Sequence, residues 1–183
     1  MVQRLRAAGL ERRLPHAVLE PAGGAAGTGI WTRTPPQAMA SLPGTTFAMP
    51  RLRLPLGDGV VTVTAAHPFP PRNTGVDRWN ADMRVLADAV AATEGPQVVA
   101  GDFNATRDHG PLRRLLDVGL TDAADARGAG AWPGMTWPHG HWFPPALRLD
   151  HVLASQPVQV DDVQVLVIPG SDHRAVVARL RLG

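Results

Sequence analysis

Hydrophobic and polar positions change their period several times along the chain, and each change marks an element. Residues 60–66 (Val-Val-Thr-Val-Thr-Ala-Ala) form a nearly unbroken β-branched run, the pattern of a central strand buried on both faces. The hairpin-type turn Gly57-Asp58-Gly59 precedes it, and before that residues 47–54 alternate from Pro50 onward, the proline marking an edge or a strand start. Val76, Trp79, Met83, Leu86, Ala87 and Val90 recur at helical spacing, which predicts a helix over about 76–93 with Trp79 and Met83 in the core. A further apolar run, Val98 to Ala100, follows Gly95-Pro96. The order strand, helix, strand predicts a layered α/β arrangement.

The flanking segments read less strongly. Residues 2–10 resemble the end of a helix closed by Gly9, residues 16–20 and 28–33 read as strands, and residues 108–117 read as a short capped helix with Pro111 in its first turn. Residues 130–145 form a long loop rich in proline and aromatics. Strands are expected over 148–153, over 158–168 as a pair or one bent strand, and over 174–182. No repeat or low-complexity linker divides the chain, so residues 1–183 are taken as a single domain.

Composition narrows the chemistry. The 183 residues carry a net charge of only +2, and the sequence pI near 10.8 reflects an absence of lysine, tyrosine and cysteine, with every basic side chain being Arg. Without cysteine there is no disulfide framework, zinc–thiolate site or thiol nucleophile; without lysine there is no P-loop or Schiff base. Arg72, Arg78, Arg107 and Arg148 could contribute to a phosphate-tracking array, but solvated surface is the favoured reading. The glycines of residues 23–29 precede a strand and do not fit a phosphate cradle. No run reaches the length of a membrane span, so the chain as written reads as soluble.

Polar residues stand at the ends of several apolar runs. Gly101-Asp102-Phe103-Asn104 closes one of them. In an extended chain Asp102 and Asn104 would share a face while Phe103 points inward, and an Asx turn is the alternative reading. His67 ends the 60–66 run before Pro68, where a simple turn residue is also expected. Asp150 and the pair Asp172-His173 complete the set, and together they predict one shared site. Two histidines, several carboxylates and a carboxamide suit metal-assisted hydrolysis better than acyl transfer. Ser171 is adjacent in sequence to Asp172-His173, which does not favour a serine triad. His139-Gly140-His141 is a weak metal-binding signal, having no third ligand nearby in sequence.

Gly101-Asp102-Phe103-Asn104, Thr136-Trp137-Pro138, Arg148-Leu149-Asp150-His151 and Ser171-Asp172-His173-Arg174, in this order, resemble the endonuclease/exonuclease/phosphatase superfamily, with its deoxyribonuclease-I-like fold, from about Gly27 to the carboxyl terminus. The resemblance implies a four-layered α/β/β/α sandwich and hydrolysis of phosphate esters with Mg2+ or Mn2+, as a phosphodiesterase, nuclease or phosphatase. It implies that Asp102 orients or deprotonates the attacking water and that Asn104 donates to that water or to phosphoryl oxygens. Asp150 would hold His173 against the phosphate, His67 would bind the opposite side or assist the leaving group, and Asp172 would bind the metal directly or through water. The substrate is expected to be a phosphate ester of nucleic acid, lipid or a small molecule, and no protein partner is readable.

The loop after His67 and residues 27–31 are most similar to a bacterial, membrane-attached branch associated with glycopeptide-antibiotic resistance. In a full-length member of that branch, anchoring helices would give an extracytoplasmic location. The family's upstream asparagine and metal-binding glutamate have no counterpart here, since neither Glu11 nor Glu20 stands in a matching context. The chain is therefore expected to be truncated at its amino terminus and to lack the first two core strands. The alternative function is a catalytically inactive remnant serving as a binding or interaction module.

Overall fold

A computed structural model describes residues 2–128, 134–140 and 142–183. Helices α1 (Val2–Ala7) and α2 (Leu10–Arg13) come first and bury no side chain. Gly9 separates them with φ 81°, a left-handed conformation that suits glycine at a helix end. The hairpin of β1 (His16–Glu20) and β2 (Thr28–Thr32) follows, antiparallel in register.

A six-stranded mixed sheet is the centre of the molecule. Its strands are β3 (Ala38–Ser41), β4 (Pro50–Leu56), β5 (Gly59–Ala66), β6 (Gln97–Asp102), β7 (Leu120–Asp122) and β8 (Asp150–Ser155), in the order β3-β4-β5-β6-β8-β7. Within it, β5 and β6 are the parallel pair, connected through a 3₁₀ turn (Asn73–Gly75) and α3 (Val76–Ala91). A parallel pair needs such a crossover. Both strands therefore end at the same edge, β5 leading into His67 and β6 closing at Asp102. Strand β8 runs antiparallel to β6 and starts where β6 stops, pairing Asp102 with Asp150.

Alternation along the strands divides the interior in two. Val99 and Leu153 join Trp79, Met83, Leu86 and Val90 of α3 and Leu112 and Leu115 of α4 (Gly110–Asp117) in one core. Their neighbours Val98 and Ala154 face the other way, toward Val61, Val158, Leu180 and Leu182. This second core lies under the hairpin of β9 (Val158–Leu166) and β10 (Ala175–Leu182). The β1–β2 hairpin packs over β4 and β5, and the two hairpins are not hydrogen-bonded to each other. The order is thus helices, central sheet and a layer of two hairpins, a mixed α/β fold as expected.

Three short elements carry too weak a pattern to be read in sequence. Strand β3 is largely exposed, β7 has three residues and α5 (Ala123–Ala126) has four. The predicted cap at Asp108 is displaced by one position: α4 is preceded by His109, whose Nδ1 accepts from the Thr106 backbone N–H at 3.0 Å.

Candidate active site

Asp102 ends β6, and the chain then turns sharply. Asn104 takes φ 48°, and its N–H donates to Asp102 Oδ1 at 2.8 Å, an Asx turn. Strand alternation thus does not carry Asn104 to the site as the extended reading supposed. The turn does, while Phe103 between them is fully buried as expected. Trp79 Nε1 donates to the Phe103 carbonyl at 3.1 Å and fixes the turn to α3. One N–H of Asn104 Nδ2 donates to the Pro68 carbonyl at 3.1 Å, tying the end of β6 to the residue after His67 and leaving the other N–H for a ligand.

Asp150 and His173 come from opposite ends of the carboxyl-terminal region, and Thr136 brings them together. Its buried hydroxyl accepts from the N–H groups of Leu149 at 3.1 Å and Asp150 at 3.3 Å, and its carbonyl accepts from Arg174 N–H at 2.9 Å. His139 N–H donates to the Asp172 carbonyl at 2.6 Å, so residues 136–139 hold the 171–174 turn in place. His173 Nδ1 then donates to Asp150 Oδ2 at 2.8 Å, and Nε2 stands 3.9 Å from Asp102 Oδ2.

Charge distribution follows from this packing. Burial, reinforced by the nearby Asp150 charge, raises the Asp102 carboxyl from 3.8 to about 6, against the pull of the Asn104 N–H, His173 and His151. The hydrogen bond to Asp150 raises His173 above 6.5; burial opposes it, and the charges of Asp150, Asp102 and Asp172 add to it. His67 is lowered by burial, with Asp150 acting against that and His173 with it, so His67 is within electrostatic reach of both. Its ring packs on Phe47 at 5.2 Å. A base near neutrality thus sits beside an imidazole that favours its charged form.

Beneath this surface lies a buried network. His151 Nδ1 is 2.6 Å from Asp122 Oδ2, and its Nε2 is 2.9 Å from the Ala105 carbonyl. Arg148 pairs with Asp122 at 3.4 Å and Asp125 at 2.8 Å. Burial alone would raise Asp122, but His151, Arg148 and the Ala124 N–H outweigh it and hold the carboxyl low. Asp82, also buried, accepts from Thr46 and from Phe69 N–H, fixing the loop after His67 to α3. Nothing in the sequence distinguished Asp82 or Asp122 from surface acids. Thr136 was visible as part of a motif, without the hydrogen bonds that give it a task.

Five of the six expected site residues, His67, Asp102, Asn104, Asp150 and His173, meet at this one edge. Asp172 lies at its exposed rim, where its charge reaches His173. Ligand atoms of Asp102, Asp150 and His173 lie within 4.8 Å of one another, a group able to hold a metal ion. Asp102 Oδ2 and the Asp150 oxygen not engaged by His173 provide the hard oxygen donors that a divalent cation such as Mg2+ prefers, so the residues fit. His141, half of the His-x-His pair, lies outside the described residues.

The fold is shared with several solved structures. D. rerio TDP2 humanized by 14 mutations superposes with a TM-score of 0.76 at 17% identity, covering 98% of this chain and 80% of that one. An endonuclease/exonuclease/phosphatase from Bacteroides vulgatus gives 0.76 at 16% identity, covering 100% and 80%. A mannosyl-6-phosphatase from Bacteroides thetaiotaomicron gives 0.68 at 13% identity, covering 99% and 82%. No curated protein matches the sequence. The sequence itself matches the Endonuclease/Exonuclease/phosphatase family over residues 2–173, nearly its whole length. This chain belongs to the endonuclease/exonuclease/phosphatase family.

Proposed function

We propose that the protein hydrolyses phosphate esters by attack of water at the edge where β5, β6 and β8 meet. The observation that carries this reading is the placement of Asp102 Oδ2 3.9 Å from Nε2 of His173, whose charged form the Asp150 contact favours. Asp102 accepts a proton from the water as it attacks phosphorus. His173 Nε2, directed by the Asp150 contact at Nδ1, donates to a phosphoryl oxygen and offsets the charge that develops there. The free N–H of Asn104 donates to the same group, and His67 stands on the far side, toward the leaving oxygen. A divalent cation, Mg2+ or Mn2+, would be held by Asp102 and Asp150 with Asp172 at the rim, and when bound it supplies positive charge to phosphoryl oxygens.

Hydrolysis of bis(4-nitrophenyl) phosphate by the purified chain, with added Mg2+ and with a chelator, tests this reading. Turnover that appears with the cation and disappears with the chelator is expected. A protein that is folded yet inert with Mg2+ and Mn2+ alike refutes it.

A further inference from the structure

Four arginines near the site have different surroundings, and the difference separates them. Arg107 is ion-paired with Asp125 at 2.8 Å, and Arg148 with Asp125 at 2.8 Å and Asp122 at 3.4 Å. Arg72 and Arg78, both exposed, have no carboxylate within ion-pair distance among the described residues. Each lies instead on an aromatic face. The Arg72 guanidinium sits 5.9 Å from the centre of the Trp137 ring, and that of Arg78 sits 5.3 Å from the Phe69 ring.

The two platforms lead to the two histidines. Trp137 packs against His173 with ring centres 6.4 Å apart. Phe69 packs on Phe47, which packs on His67, each at 5.2 Å. Both platforms are anchored through the backbone, Trp137 N–H donating to the Leu147 carbonyl and Phe69 N–H to buried Asp82. An arginine stacked on a fixed ring is held with its donor edge free, which suits bidentate contact with phosphate. One aromatic ring, Trp137, separates Arg72 from His173, and two, Phe69 and Phe47, separate Arg78 from His67, so neither arginine is placed to share the phosphoryl group that the histidines flank.

We infer that Arg72 and Arg78 are anion-binding residues on either side of the catalytic edge, and that the substrate carries further phosphate groups flanking the one that is cleaved. This rests on the hydrolytic reading above for the position of the scissile group. The chemistry recognised is a run of at least three phosphates, supplied either by a nucleic-acid strand or by a small linear polyphosphate. Sequence position alone made both arginines look like solvated surface, whereas their stacking and missing counter-charges set them apart.

Binding of a short, hydrolysis-resistant phosphorothioate oligothymidylate to the full chain, followed by fluorescence anisotropy across a range of salt, tests the inference beside calorimetry with inorganic tripolyphosphate. Each phosphate contact on a single strand contributes about 0.7 to the slope of log affinity against log salt. Arg72→Ala and Arg78→Ala should each lower that slope by about this amount, the Lys variants should retain it, and Arg107→Ala should not change it. Tripolyphosphate affinity that falls in Arg72→Ala or Arg78→Ala, with the oligonucleotide slope unmoved, supports the anion sites and identifies a small polyphosphate as the source. Unchanged behaviour of both ligands in folded Arg72→Ala and Arg78→Ala overturns the inference. The hydrolytic reading is judged separately, by His173→Ala on bis(4-nitrophenyl) phosphate, which carries no flanking phosphate.

Discussion

Asp150 Oδ2 accepts a 2.8 Å hydrogen bond from His173 Nδ1, joining the first residue of β8 to the turn before β10. That bond fixes which nitrogen of His173 faces Asp102, and it raises the imidazole above its ordinary 6.5. Removing it should therefore change both charge and aim. In cation-free protein followed by NMR, His173 is expected to titrate above 6.5 and to fall back toward or below that value in Asp150→Asn. Turnover by Asp150→Asn should drop by roughly 10²- to 10⁴-fold. A His173 titration indifferent to residue 150 would deny the bond its role.

Asp102 carries a pH-dependent contribution to stability of its own. Its carboxyl is raised from 3.8 to about 6 chiefly by burial, so the folded protein binds its proton more tightly than the unfolded chain does. Stability attached to this group is complete below pH 3.8 and is lost as pH rises through about 6, a difference on the order of 3 kcal/mol. An asparagine at this position carries no charge and can still accept the Asn104 N–H. Urea unfolding of cation-free Asp102→Asn should show a gain of about 1–3 kcal/mol at pH 8 and little at pH 4, while activity is lost. Equal midpoints for mutant and wild type at pH 8 would contradict the assigned burial cost.

Thr136 connects the two halves of the site, its hydroxyl accepting from Leu149 and Asp150 and its backbone carbonyl from Arg174. Thr136→Val keeps the shape but leaves the Leu149 and Asp150 N–H groups without their acceptor, at a cost of about 1–3 kcal/mol. Since Asp150 is displaced as well, kcat should fall by more than the stability change explains. Thr136→Ser should restore both, and a Val variant with native kcat would argue against the linkage.

His151 supports the site from below. Both of its nitrogens face acceptors, so His151→Leu strands the Asp122 carboxylate beside Arg148 and frees the Ala105 carbonyl. Since Asp122 keeps Arg148 and the Ala124 N–H, a loss of about 1–3 kcal/mol is expected from the unsatisfied acceptors, read as a lowered denaturant midpoint.

Much of the fold was legible because its strongest signals are periodic. The β5 run, the α3 stripe and the short run of β6 each bury a regular face, and burial enforces register. The site was legible for a related reason: polar side chains that end apolar runs are delivered together by a parallel pair. What sequence could not show is carried by tertiary contacts. Asn104 reaches the site by a turn, Asp82 and Asp122 acquire their partners from distant segments, and Arg72 and Arg78 differ from Arg107 and Arg148 through the groups that happen to lie beside them. Short exposed elements such as β3 have no buried face to impose a pattern.

The central claim is that Asp102 and His173 act side by side, as base and as donor, in one transfer of a phosphoryl group to water. The most direct measurement is the Mg2+-supported rate of bis(4-nitrophenyl) phosphate hydrolysis by wild type, His173→Ala and Asp102→Asn, with folding verified by circular dichroism. Losses of roughly 10²- to 10⁴-fold in each variant are predicted. A folded His173→Ala or Asp102→Asn protein within about tenfold of the wild-type rate would contradict the account.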